Sequence, residues 1–194
     1  MQICNRKEEM MRIIFATGNE GKMREIRMIM ADLGLEILSM KEAGLFSDVD
    51  ENGTTFEENA VIKAKGIAAL CNDIVLADDS GLCVDALDGR PGVMSARYAG
   101  EGASDMHKII KLLGEMEHKT DRRAKFVTSM VFIFPDGTEI ATSGEVHGKI
   151  LESPEGENGF GYDPIFYSDE LKKSFAMATL EEKNSVSHRG RALK

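Results

Sequence analysis

The most constraining stretch of this 194-residue chain is Arg12 to Thr17, RIIFAT, a short apolar run rich in β-formers that is closed at once by Gly18-Asn19-Glu20-Gly21. Beyond the loop, Met23, Ile26, Ile29 or Met30, and Leu33 recur at helical spacing. The pattern predicts a strand, a glycine-rich loop and a helix. Leu35 to Met40 reads as a second strand, and Thr55 to Cys71 as a helix whose apolar face carries Phe56, Ala60, Ala64, Ile67 and Ala68, with Thr55 as its N-cap. Ile74 to Ala77 is a buried strand running into Asp78-Asp79-Ser80-Gly81. Ser104 is placed to cap a helix through Met116, and Ala124 to Phe134 is the most strand-like run of the chain. Pro135-Asp136-Gly137-Thr138 has turn chemistry and returns the chain into Glu139 to Ser143 as an antiparallel hairpin. Early alternation of strands and helices followed by a late hairpin predicts an α/β fold with a mixed sheet. No linker divides the chain, so residues 11–194 are expected to form a single domain.

Composition removes several classes of function. Twenty-four basic against 33 acidic residues leave a net charge of −9, which argues against nucleic acid polymer as a partner. The longest stretch without a charged residue, Phe126 to Pro135, has ten residues, about half of what a membrane-spanning helix needs, so no membrane partner is expected. Cys4, Cys71 and Cys83 lack Cys-x-x-Cys spacing and read as reduced structural thiols of a cytoplasmic protein. The first ten residues contain no apolar signal core and read as an unstructured extension, with Met11 as a possible second start. Met23, Met28 and Met30 read as core filler.

Three segments carry chemistry. Thr17 to Lys22, TGNEGK, lacks the spacing of a P-loop, yet it would present backbone amides and the Lys22 charge to an anion at a helix N-terminus. An ordinary strand-to-helix turn is the competing reading. Asn59 and Lys63 share one helix face behind the polar loop Ser47 to Thr54, with a solvated charged face as the competing reading. Asp78 and Asp79, at what reads as a strand end, can hold a hard cation through oxygen or keep one carboxylate as a base for water; an Asx-type turn is the alternative. Ser187-His188-Arg189 has no nucleophile elbow, which excludes a serine hydrolase, and the four histidines show no zinc spacing.

Six segments in order, TGNEGK at 17–22, FEENAVIKAK at 56–65, ADDSGL at 77–82, PGVMSARYAG at 91–100, GFGYDP at 159–164 and EEKNSVSHR at 181–189, closely resemble the inosine/xanthosine triphosphate pyrophosphatases. The resemblance runs from Arg12 to Lys194. It implies an elongated two-lobed α/β fold with a twisted mixed sheet and a cleft between the lobes, assembled as a homodimer. It also implies Mg²⁺-dependent hydrolysis of non-canonical purine nucleoside triphosphates (ITP, dITP, XTP) to the monophosphate and pyrophosphate.

Carried over position by position, Thr17, Gly18, Asn19, Glu20, Gly21 and Lys22 together with Lys63 would cradle the triphosphate, while Glu51 and Asp79 would hold the metal. Asp79 would also be the general base, with Ser80 a substrate contact beside it. Phe160, Gly161, Tyr162 and Asp163 would wall the nucleobase, and Lys183, His188 and Arg189 would line its far side, Arg189 donating to the purine 6-oxygen. The resemblance settles no role for Asp78, for which bonding to loop amides and orientation of Asp79 is the reading left open. The chain departs from the family in ending five residues after Arg189, where relatives continue into a longer helix. The rival readings are a septum-inhibitor-type pyrophosphatase for modified or pyrimidine triphosphates, whose loop carries serines and paired arginines, and a non-catalytic nucleotide sensor without the metal carboxylates.

Overall fold

The computed structural model describes residues 11–47 and 49–194; the expected N-terminal extension with Cys4, and Asp48 of the polar loop, lie outside them. Within them a seven-stranded mixed sheet has the order β2-β1-β3-β4-β5-β6-β7. Strands β1 (Arg12–Phe15), β2 (Glu36–Ser39) and β3 (Ile74–Val84) are mutually parallel through β1, and β4 (Arg123–Ile133), β5 (Glu139–Ile150), β6 (Phe166–Ser168) and β7 (Lys173–Ser174) continue antiparallel. Helices α1 (Glu20–Ile29) and α2 (Phe56–Ala68) cover opposite faces of the parallel half, because alternate residues of β1 and β3 are apolar on both sides. Ile13, Phe15 and Leu76 pack with Met23 and Ile26 of α1, while Ile14, Val75 and Ala77 pack with Ala60, Ala64 and Ile67 of α2.

The far ends of β3, β4 and β5 form a second core with α3 (Asp105–Glu115), built around Leu82, Ile109, Leu112, Phe126, Phe166 and Phe175. Phe166 sits 4.6 Å from Phe126 and 5.0 Å from Phe175 between ring centroids, both tilted pairs. Helices α4 (Leu180–Val186) and α5 (His188–Ala192) close the chain against β4, β5 and α1. No helix among the described residues is long and apolar enough to cross a membrane.

Local signals hold. Thr55 caps α2 in a full capping box with Glu58, Ser104 caps α3, and the Phe134 amide donates to the Thr138 carbonyl across the predicted turn. Five expectations change. The second hairpin strand runs on to Ile150 rather than Ser143. Helix α2 stops at Ala68, leaving Cys71 outside it. Leu33 is 61% exposed in a 3₁₀ turn, and Met28 is 45% exposed while Met23 and Met30 are buried, so Met28 is no core filler. Most consequentially, β3 does not end before Asp78: it continues through Val84, paired residue for residue with β4.

Candidate active site

Because β3 is extended through residues 78 and 79, successive side chains point to opposite faces, and the two adjacent aspartates are parted. Asp79 turns toward α2, where Asn59 Nδ2 donates to its Oδ2 at 3.1 Å. Asp78 turns toward α1 and α5, where Lys22 Nζ donates to Oδ1 and Arg189 Nε to Oδ2, each at 3.0 Å, and the Ser80 hydroxyl donates to Oδ2 at 3.1 Å. The expectation that Asp78 bonds loop amides and orients Asp79 is thus corrected: it is a fully buried counter-ion for two cations.

Their electrostatics diverge accordingly. Burial opposes ionisation of Asp78, but the Lys22, Arg189 and Lys63 charges outweigh it and hold the carboxyl well below the usual carboxylate range. Burial likewise opposes ionisation of Asp79, and there Lys63 and Lys22 offset it only in part, so its pKa lies above the ordinary value. Asp79 is therefore the more basic of the pair.

A cavity of about 400 Å³ opens against this end of the sheet. Its floor carries Asp79, with Glu51 of the polar loop and Lys63 of α2 on one side; Lys63 Nζ lies 3.0 Å from Glu51 Oε2 and 3.0 Å from the Asp78 carbonyl. Lys22 enters from α1, whose N-cap Asn19 accepts from the Lys22 amide at 3.0 Å. Opposite stand Phe160, Tyr162 and His188. The His188 ring stacks on Phe126, 5.1 Å between centroids, and burial, reinforced by Arg189 and Lys183, keeps it neutral at ordinary pH.

The rear of that wall is a chain of buried ion pairs. Lys183 Nζ lies 2.6 Å from Glu25 Oε1 and also contacts Asp163, and Arg189 Nη1 donates to Glu25 Oε2 at 2.8 Å while its Nη2 donates to the Ser80 hydroxyl at 2.6 Å. Burial disfavours the Glu25 carboxylate, but Lys183 and Arg189 hold its pKa below the ordinary value. The Lys183 ammonium sits 4.7 Å from the Phe160 ring centroid, so the cation backs the aromatic wall.

Among the residues expected from sequence, all but Glu20 and Gly21 line this cavity. Glu20 is exposed, and Gly21 lies beneath Phe160, whose ring would be 2.4 Å from a Cβ added there; Gly21 lets α1 and the aromatic loop meet instead of touching a ligand. Sequence reading missed Glu25, Arg97, Asp105, Lys108 and Phe126, and singled out Asn59 only for its helix face. Among these, Asp105 accepts from the Gly161 amide at 2.7 Å and ties the aromatic loop to the start of α3. Arg97 Nη2 reaches the Glu51 carbonyl at 3.4 Å. Nothing local marks Glu25: its partners Lys183 and Arg189 lie 158 and 164 residues away in sequence (183 − 25 and 189 − 25).

An open α/β sheet with lysines, carboxylates and an aromatic wall around one cleft defines a protein equipped to hold an anionic, ring-bearing small molecule. The comparisons give the family: the model of the Ham1 family matches residues 13–194, and the chain belongs to that family. A dITP/XTP pyrophosphatase of Geobacter sulfurreducens is 50% identical over 186 residues, covering 95% of this chain and 94% of its own. One from Bacillus cereus is 46% identical over 191 residues, covering 96% and 93%. The Staphylococcus aureus Ham1 protein superposes with a TM-score of 0.82 at 44% identity, over 94% of each chain.

Proposed function

We propose that this chain hydrolyses non-canonical purine nucleoside triphosphates such as dITP, XTP and ITP to the monophosphate and pyrophosphate. The observation that carries this reading is the convergence of Lys22, Lys63, Asp79 and Glu51 on one cavity with an aromatic wall, in a chain so similar to proteins named dITP/XTP pyrophosphatase. Lys22 and Lys63 bind the phosphates and offset their charge; Thr17, Gly18 and Asn19 shape the loop beside them. Asp79, held at one oxygen by Asn59 and made more basic by burial, takes the proton from the attacking water.

The donor set fits Mg²⁺. Among the described residues no three His, Cys, Asp or Glu side chains gather as a metal cluster, but Mg²⁺ is commonly held by one or two carboxylates with water and substrate phosphate completing its shell. Glu51 and Asp79 are those two carboxylates, and bound Mg²⁺ supplies neutralisation of the phosphate oxygens. Phe160 and Tyr162 bound the purine, with neutral His188 beside them. Arg189, three of whose donors already serve Asp78, Glu25 and Ser80, turns its remaining N–H groups toward the base. Donors facing the 6-oxygen would meet the amino group of adenine unpaired, which disfavours ATP. A cytoplasmic homodimer completes the proposal, supported by the free thiols of Cys71 and Cys83 and the exposed apolar Met106 and Ile110 of α3.

A panel of dITP, XTP, ITP, ATP, GTP and dUTP with separate detection of pyrophosphate and orthophosphate tests the reading. Pyrophosphate released fastest from the inosine and xanthosine nucleotides is expected; orthophosphate as first product, or preference for dUTP, would refute it.

A further inference from the structure

The two carboxylates of the proposed metal site come from parts of the chain that share no backbone pairing: Asp79 from the middle of β3, Glu51 from an exposed loop. One buried side chain touches both parts. Asn59, 2% exposed in the first turns of α2, donates from Nδ2 to Asp79 Oδ2 at 3.1 Å and accepts at Oδ1 from the Gly53 amide at 2.8 Å. The approach of the loop is close: a Cβ on Gly53 would lie 2.7 Å from Asn59 Oδ1 and 2.8 Å from Glu58 Cβ, so glycine there is what lets the loop settle onto the carboxamide. Just beyond Gly53 the loop is fixed again, with the Thr54 amide and hydroxyl donating to Glu58 Oε2 at 2.7 and 2.9 Å.

We propose that Asn59 is a positioning residue which, through the two ends of one carboxamide, sets the distance between Asp79 and the loop that presents Glu51. An amide is the side chain suited to this task, since it offers one donor and one acceptor from a rigid plane, whereas a carboxylate offers only acceptors. With Asp79 Oδ2 engaged by Asn59, Oδ1 is the oxygen left for cation or water, and the orientation of that oxygen follows the Asn59 rotamer. The inference rests on the metal reading above, and partners of this kind typically govern affinity or activity by about 10- to 100-fold.

The test uses the full chain and two readouts: calorimetric titration with Mn²⁺ alone, without nucleotide, and steady-state hydrolysis of dITP at saturating Mg²⁺. Asn59→Ala should weaken Mn²⁺ binding and lower kcat, each by about 10-fold or more, with KM little changed because Lys22 and Lys63 remain. Asn59→Asp separates the two contacts: it still accepts from the Gly53 amide but cannot donate to Asp79, and kcat should fall as far as with alanine. Ala64→Gly, a buried position of α2 off the cavity, lowers the melting temperature without touching either contact, and should leave Mn²⁺ affinity as in the wild type. Wild-type kcat in Asn59→Ala or Asn59→Asp, or equal Mn²⁺ losses in Asn59→Ala and Ala64→Gly, would overturn the proposal. Asp79→Asn keeps the metal reading separately accountable: were it to bind Mn²⁺ like the wild type, that reading would fall, and Asn59 would then stand or fall on the kcat loss alone.

Discussion

The two ends of the cavity are charged in opposite styles. At the end proposed to hold the base, Lys183 and Arg189 are 3% exposed and already neutralised by Glu25, Asp163 and Asp78; at the end proposed to hold the phosphates, Lys63 is 14% exposed and Glu51 33%, and among the described residues Asp79 has no cation in direct contact. The base end is thus a finished network whose charges stiffen a wall. The other end is less completely paired, and there burial raises the Asp79 pKa, with Lys63 and Lys22 offsetting it only in part. Removing a carboxylate should therefore unfold the first and disarm the second.

Glu25→Ala is the largest expected effect, because it strands two buried cations: a loss of about 3–5 kcal/mol in denaturant unfolding, whatever happens to turnover. A loss under about 1 kcal/mol, the range of a surface pair, would break the distinction. Asp79→Asn should lower kcat for dITP by roughly 10²-fold while leaving the melting temperature unchanged or raised, since the native fold disfavours the Asp79 charge. Marked destabilisation by this variant would place Asp79 among the structural charges.

Lys22→Ala and Lys63→Ala sharpen the comparison further. Lys63 meets Glu51 and a backbone carbonyl, so its loss should raise KM with little change in stability; Lys22 also serves buried Asp78, so its loss should raise KM and lower the melting temperature together. Equal melting temperatures for the two variants would deny that Lys22 belongs to both regions. His188 gives a smaller, pH-dependent signature. Its folded pKa lies well below the unfolded value, so the unfolded chain binds more protons on acidification, and the stability owed to neutral His188 is present above about pH 6.5 and is lost as pH falls below it. His188→Gln should flatten that portion of the melting-temperature profile. Smallest of all, breaking the exposed Arg12–Asp73 pair by Asp73→Ala should cost about 0.2–1 kcal/mol, which calibrates the scale for Glu25.

What could be read from sequence was what is local. The Thr55 cap, the Ser104 cap and the Pro135–Thr138 turn are decided by residues within a few positions, and all three stand as read, with Glu58 completing a capping box at Thr55. The site residues expected from the family resemblance line the cavity, Glu20 and Gly21 excepted, but Arg97, Asp105, Lys108 and Phe126 of the same cavity were not singled out. Reading Asp78 and Asp79 as a pair failed because it took polar residues to end the strand; pairing with β4 carries β3 through them and sends them to opposite faces. Glu25 was invisible because a glutamate on an amphipathic helix looks solvated until partners from the far end of the chain bury it. Asn59 was seen on the right face, but that its two polar ends serve different segments is a property of the fold.

In the proposed reaction, the cavity end that holds Lys22, Lys63 and Asp79 directs water at the α-phosphorus. Hydrolysis of dITP in ¹⁸O-labelled water, with mass analysis of both products, tests this directly. The label is expected in the monophosphate and none in the pyrophosphate; label in pyrophosphate would place the attack at the β-phosphorus and contradict the assignment of Asp79 and its neighbours.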